Sequence, residues 1–318
     1  MTQKKLAELA GVSPATVSKA FNFSSEISPE QREKIFDLAK KHGCFDKFSK
    51  GKYHKKVIAV LCPEIKSEFY NSIIADIEKR LSSVGAIMTL AITNFDAKTE
   101  KEYFEYYSKN ERSDAIIVIS PSSVLDNPDS FPAVAVFSSQ KQPFDTLNVD
   151  LTQAMDDALT LLKEKGRKNI AFIGERYTSI KLNCFKKAME KNNLPLFDKF
   201  LYISDLRFEN AGVWAAEEIV KSQKKPDAII AAYDYIALGA MTALKQNGFK
   251  IPEDISIIGM DDIHLASYLD TPLTSIASHL DELCDMTVDI IFEKIKNKYY
   301  FLKQEVTINA SLIIRDSI

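Results

Sequence analysis

The stretch "LAELAGVSPATVSKAFN", residues 6–22, spells two short helices with an abrupt turn between them. Thr2 is placed to cap a first helix whose apolar residues Leu6, Ala7, Leu9 and Ala10 fall on one face at helical spacing. Gly11 sits where that helix must stop, because glycine enters the left-handed conformation of a helix C-terminus without a Cβ clash. Ser13 reads as the next N-cap and Pro14 as the first helical residue, where a missing N–H is no loss. Val12 and Val17 occupy the two positions of a hydrophobic staple. The second helix turns Val17, Ala20 and Phe21 inward and leaves Ala15, Thr16, Ser18, Lys19 and Asn22 outward, small groups around one cation. A third start follows in "ISPEQREKIFDLAKKHG", residues 27–43. There Ser28 caps, Pro29 is first and Gln31 closes a capping box. Ile35, Phe36, Leu38 and Ala39 form its stripe and Gly43 ends it. Three short helices with a tight turn between the first two make a helix-turn-helix arrangement.

Charge separates this reading from that of a small bundle that merely packs. Residues 1–56 carry 12 Lys+Arg against 6 Asp+Glu, a net of +6; the whole chain is at −3, which leaves −9 for the remainder. A basic head on an acidic body implies contact with nucleic acid confined to the head. The 318 residues are 46% hydrophobic and 27% charged, enough to bury a large core in more than one domain. Cys44, Cys62, Cys184 and Cys284 are scattered in or beside apolar stretches without paired metal spacing, so reduced, packed thiols in a cytoplasmic protein are expected. "MTQKKLAELA" lacks the apolar core of a signal peptide, and no run approaches a membrane span.

After the head, "DKFSKGKYHKK" (46–56) holds five lysines and almost nothing to bury, and reads as a linker. The texture then changes to short apolar runs: "KVIAVLC" (56–62), "AIMTLAI" (86–92), "DAIIVIS" (114–120) and "PAVAVF" (132–137), then "NIAFIG" (169–174), "DAIIAA" (227–232) and "ISIIGM" (255–260). Helical patterns lie between most of them. Strands apolar on both faces that alternate with helices predict an α/β body of doubly wound parallel sheets. The expected domains are a helix-turn-helix head at 1–45, a hinge at 46–56 and a two-lobed body at 57–318. Lobe 1 is expected at about 57–149 and 279–300, and lobe 2 at about 152–276 and 304–318. A cleft between such lobes, at the carboxyl ends of the strands, is where a small molecule would bind.

Enzymatic readings find little support. The adjacent Asp261 and Asp262 could serve acid–base or metal chemistry, but helix capping and ligand contact account for them as well. There is no Gly-x-Ser-x-Gly elbow, no Gly-rich loop before a Lys-Ser/Thr pair, and no metal-ligand spacing among His42, His54, His264 and His279. No catalytic residue, metal or cofactor is expected.

The chain resembles the lac-repressor family of bacterial transcription regulators, along nearly its whole length. The most specific match is "LAELAGVSPATVSKAFN" with "ISPEQREKI". "SEFYNSIIADIE" (67–78), "DAIIVISP" (114–121), "YDYIALGAM" (233–241), "NGFKIPEDISIIGMDD" (247–262) and "TPLTSI" (271–276) add to it. The resemblance implies a body similar to periplasmic sugar-binding proteins, a homodimer on a palindromic DNA operator, and an effector, a sugar or related metabolite, that sets operator affinity from the cleft. A repressor is the expected sense of regulation. The alternative is a regulator that answers to a protein partner or has a degenerate pocket, with a solute-binding protein or an enzyme behind it. The implied DNA-contacting residues are Thr2, Ser13, Pro14, Ala15, Thr16, Ser18, Lys19, Asn22 and, in the hinge, Tyr53. Lys19 matches a position usually held by arginine, and lysine reaches guanine acceptors without the planar fork. Tyr53 stands where the family wedges a leucine into the minor groove. The implied effector set is Tyr70, Ser120, Phe137, Lys181, Tyr233, Asp234 and Asp261. Phe137, Leu151 and Tyr233 replace hydrogen-bonding groups of the family, so a less polar pocket than a typical sugar site is expected.

Overall fold

The computed structural model describes residues 1–22, 24, 26–49, 55–109, 112–127, 130–296 and 302–318, and it divides into two compact units, 1–56 and 57–318. In the head, α1 (Gln3–Ala10), α2 (Pro14–Phe21) and α3 (Pro29–Lys41) start at the caps read from the sequence. The Thr2, Ser13 and Ser28 hydroxyls accept from the backbone N–H of Lys5, Thr16 and Gln31. Gly11 ends α1 at φ 67°, its N–H shared between the Ala7 and Glu8 carbonyls. Leu9, expected on the apolar face, is 44% exposed; Leu6, Ala7 and Ala10 alone are buried there.

The boundary at residue 45 needs correction. Phe45–Ser49 forms a further short helix, α4, and its aromatic rings join the head core. Phe21 lies with ring centroids 4.9 Å from Phe36, 5.4 Å from Phe45 and 5.8 Å from Phe48. The sequence places Phe48 in the linker, because one aromatic among lysines gives no period; packing against Phe21 decides its place. Tyr53 and the rest of 50–54 lie outside the described residues.

The body carries two six-stranded sheets. The first has strand order β11-β5-β4-β3-β1-β2 and contains β1 (Val57–Cys62), β2 (Ile87–Ile92), β3 (Ala115–Ile119), β4 (Ala133–Val136), β5 (Asp145–Asp150) and β11 (Glu305–Asn309), all parallel. The second has order β12-β10-β9-β8-β6-β7, from β6 (Ile170–Glu175), β7 (Leu201–Ser204), β8 (Ala228–Ala231), β9 (Ser256–Met260), β10 (Thr274–Ala277) and β12 (Ser311–Ile313), parallel apart from the β10–β12 pair. The central strands β1, β3, β4, β8 and β9 are buried almost throughout, as parallel strands covered on both faces must be. Helices α5 (Glu68–Ser83) and α11 (Leu280–Lys296) cover one face of the first sheet and α6 (Ala97–Lys109) the other. Helices α7 (Thr152–Glu164), α8 (Ser179–Lys191), α9 (Glu209–Lys221) and α10 (Asp234–Gln246) cover the second.

Residues 304–318 were expected in lobe 2 as one strand. The structure splits them: β11 pairs with β5 in the first sheet, and after Ala310 the chain enters the second as β12. Strands β5 and β7 are not legible in the sequence. β5 begins with a buried Asp145, which pairs with Lys294 at 2.9 Å and accepts the Gln304 N–H, so a polar run survives inside.

Helices α9 and α10 meet backbone to backbone. A Cβ on Gly239 would lie 2.0 Å from the Glu209 carbonyl oxygen, and one on Gly212 2.0 Å from that of Ile236. Gly239→Ala must therefore push the helices apart, and destabilisation of roughly 1–3 kcal/mol is expected from overpacking. A lower urea midpoint with unchanged slope would register it; an unchanged midpoint would refute the close crossing.

Candidate functional site

In the head, α2 buries Val17, Ala20 and Phe21 and keeps Pro14, Ala15, Lys19 and Asn22 exposed and Thr16 and Ser18 half-buried. This is the division of faces read from the sequence. The Ser13 and Thr16 hydroxyls lie 2.9 Å apart, Asn22 donates to the Ser18 hydroxyl at 3.4 Å, and Gln3 donates to the Pro14 carbonyl at 3.0 Å. The Lys19 ammonium pairs with Glu26 in the turn before α3, a turn held by Arg32, which donates to the Ser24 and Ile27 carbonyls.

In the body, a cavity of about 830 Å³ opens between the two sheets at the carboxyl ends of their strands. All seven residues of the expected effector set border it. Several sit one residue past a strand with positive φ: Ser120 at 48° after β3, Phe137 at 57° after β4 and Asp261 at 97° after β9. Such backbone costs about 1–3 kcal/mol per residue and clusters at binding sites, where it re-aims a side chain from the sheet. From lobe 1, the Tyr70 hydroxyl donates to Ser120 at 3.2 Å, and Phe137 packs against Phe69 at 5.3 Å between ring centroids. Burial raises the Tyr70 phenol above its ordinary value, only partly offset by Ser120. From lobe 2, Lys181 donates to the Ala232 carbonyl at 2.8 Å and to Asp261 at 2.7 Å, 5.8 Å from the centre of the Tyr233 ring. The neighbouring Asp262 pairs with Arg315 at 2.7 Å and caps no helix.

Asp234 borders the cavity but is bonded within its own lobe. Its side chain is 1% exposed, one oxygen accepts from Ser275 at 2.7 Å and the other from the Ile263 N–H at 2.9 Å. A Cβ on Gly259 would fall 2.0 Å from the first oxygen. The carboxyl thus ties α10 to the ends of β9 and β10, each oxygen accepting one hydrogen bond within the lobe.

Sequence reasoning missed the most heavily bonded group in the cleft. Arg207, after β7, donates through both terminal nitrogens to Glu64 at 2.6 and 2.9 Å and through Nε to Glu175 at 3.0 Å. Glu64 follows β1 in lobe 1 and Glu175 ends β6 in lobe 2, so the guanidinium joins the lobes. Burial works against its charge, but the two carboxylates outweigh it and raise the guanidinium further above its ordinary value. Phe208 (centroid at 4.5 Å) and Tyr177 (5.2 Å) flank it, and Tyr177 stacks on Phe95 of lobe 1 at 4.4 Å and 14°. The Glu68 carboxylate adds a second bridge, accepting the His264 N–H at 2.9 Å. An acid closing an apolar strand, as in "IAFIGE" (170–175), was the available signal for Glu175; nothing in its own loop marked Arg207.

Residues 2–44 match the lacI family of bacterial regulatory proteins, and residues 159–318 match the periplasmic binding protein-like domain. The chain belongs to the lacI family. An HTH-type transcriptional regulator of Lachnoclostridium phytofermentans is 26% identical over 98% of this chain and 97% of that one. Among solved structures, the lac repressor dimer bound to operator and the anti-inducer ONPF superposes with a TM-score of 0.74 at 22% identity, over 100% of this chain and 98% of that one. A complex of the transcriptional regulator CelR with cellobiose gives 0.70 at 21% identity over 100% of both. As a lacI-family regulator the chain is not an enzyme, and Asp261 and Asp262 act as ion-pair partners in its body.

Asp234 also makes the site pH-sensitive. Burial first, and the nearby Asp261 second, raise its carboxyl well above the ordinary range. A raised acid favours the folded chain fully below the unfolded value near pH 4, and that contribution fades as pH climbs through the folded value. Asp234→Asn keeps an uncharged partner for Ser275 and Ile263, so its stability relative to the unmodified chain should improve as pH rises above about 4. Asp234→Ala leaves both partners unpaired and should be destabilised at every pH. Thermal unfolding across pH checks both, and a difference for Asp234→Asn that does not vary with pH would contradict the assignment.

Proposed function

We propose that this lacI-family transcriptional regulator binds a near-palindromic operator as a homodimer, with α2 of each head in a major groove, and that a sugar or related small metabolite in the interlobe cleft sets operator affinity. The observation that carries the reading is α2 itself. Its apolar groups Val17, Ala20 and Phe21 are locked inward, while its outward face offers only short side chains and Lys19 to a duplex. Ser13, Pro14, Ala15, Thr16, Ser18 and Asn22 are the proposed neighbours of Lys19 on DNA, with Thr2 at the start of α1 against the phosphates and Tyr53 in the hinge. Pro14 and Ala15 can offer only apolar contact, as to a thymine methyl. For the cleft, the proposed effector contacts are Tyr70, Ser120, Phe137, Lys181, Tyr233 and Asp261. The volume of about 830 Å³ falls within the range of small-molecule pockets. The two superposing regulators, one solved on its operator and one with cellobiose, support both halves.

Lys19→Ala should lower affinity for a selected operator by about 1–3 kcal/mol and relax preference at one base position, while binding to non-specific duplex falls much less. Fluorescence anisotropy at fixed salt, on operators varied one base at a time, reads this directly. Unchanged specific affinity would show that α2 docks otherwise. Phe21→Ala is the control, expected to weaken binding through loss of the head fold seen by amide exchange.

A further inference from the structure

We infer that the interlobe cleft is built to exclude anions, and that its ligand is an uncharged, ring-faced molecule without phosphate or carboxylate. This rests on the reading of the cleft as the effector site and narrows it. Among the described residues bordering the cavity, the cations are Lys181 and Arg207, and each is already matched. Lys181 spends two of its three donors on Asp261 and the Ala232 carbonyl. Arg207 serves two carboxylates, Glu64 and Glu175, whose side chains are 9% and 1% exposed. Three carboxylates thus pair with two cations, a fourth carboxyl at the wall, Asp234, is bonded to Ser275 and the Ile263 N–H, and no fork of donors remains for an incoming phosphate. The nearby Arg176 is exposed, stacks on Tyr177 at 4.7 Å and does not border the cavity.

A phosphate would therefore meet surplus negative charge in a partly desolvated space, where like charges interact more strongly than in water. To gain Arg207 it would have to strip the guanidinium from two short, charge-assisted contacts, leaving buried carboxylates unpaired, which is the costly outcome for such groups. What the cleft does offer is faces. Phe69, Tyr70, Phe95 and Phe137 come from lobe 1, and Tyr177 and Phe208 from lobe 2. Flat apolar walls with a few hydroxyls suit the face of a sugar or heterocyclic ring. Glu64 and Glu175 are thus proposed as specificity-determining residues that act by occupying Arg207.

Thermal unfolding of the full chain in inorganic phosphate against chloride, at matched ionic strength, tests this without knowing the natural ligand. Glu64→Gln leaves Arg207 partly free and should gain a phosphate-specific rise of roughly 2–4 °C in Tm over the unmodified chain, at phosphate several-fold above its dissociation constant. The gain should vanish in Glu64→Gln with Arg207→Gln. Taking differences between variants cancels phosphate bound at the head. Glu175→Gln should behave similarly, and Glu64→Gln suffices if the buried change impairs folding. No gain in Glu64→Gln would overturn the proposal, as would a phosphate effect in the unmodified chain that Arg207→Gln removes. A parallel screen pairs glucose with glucose 6-phosphate. Stabilisation by glucose alone supports the exclusion, whereas stronger stabilisation by the phosphate overturns it. If neither sugar acts but Glu64→Gln gains phosphate binding, the exclusion holds and the sugar reading of the cleft fails.

Discussion

Three strands of chain pass between the lobes at one place, and they are hydrogen-bonded to each other there. The first crossing runs from β5 to α7, the second from β10 to α11, and the third is Ala310 between β11 and β12. The Ala310 N–H donates to the Asp150 carbonyl at 2.9 Å, which ties the third crossing to the first. The His279 ring lies 2.8 Å from the Ser311 hydroxyl, which ties the second to the third. A lobe held by three bonded strands cannot tumble freely against its neighbour. Of the relative motions open to two domains, three bonded crossings leave a hinge that opens or narrows the cleft as the least obstructed.

That constraint gives meaning to the contacts across the cleft. Arg207 with Glu64, Phe95 on Tyr177, and Glu68 with the His264 N–H all join the lobes away from the crossings. Each is small against the sheets that flank it, and each must change if the lobes rotate. The charges that hold the lobes together are also the charges a ligand would meet, so closure and selectivity draw on the same few side chains. Asp234 stands apart from this group. It stitches α10 to the ends of β9 and β10 within one lobe, and so supports the wall on which Asp261 and Tyr233 are mounted.

The head follows a different logic. With fewer than 60 residues it has little surface to bury, and it concentrates its packing on Phe21, against which the rings of Phe36, Phe45 and Phe48 are arranged. The outward face of α2 is then free to be chemically plain. Its single cation pairs with Glu26, an exposed pair that contributes little to stability.

Local rules were enough for the helix starts of the head, the stop at Gly11 and the alternation of buried strands with helices, because caps, αL glycines and two-sided apolar runs act within a few residues. The resemblance of residues 6–22 and 247–262 carried the family, and the wider resemblance along the chain singled out Tyr70, Ser120, Lys181 and Asp261, which the fold places around one cavity. Only the tertiary structure assigned Phe48 to the head core, divided 304–318 between two sheets and tied Asp234 to Ser275 and the Ile263 N–H. It alone put Arg207 between Glu64 and Glu175, residues 143 and 32 positions away along the chain. Charges paired over such separations leave no period and no spacing in the sequence, since their meeting depends on which strand ends the two sheets bring face to face.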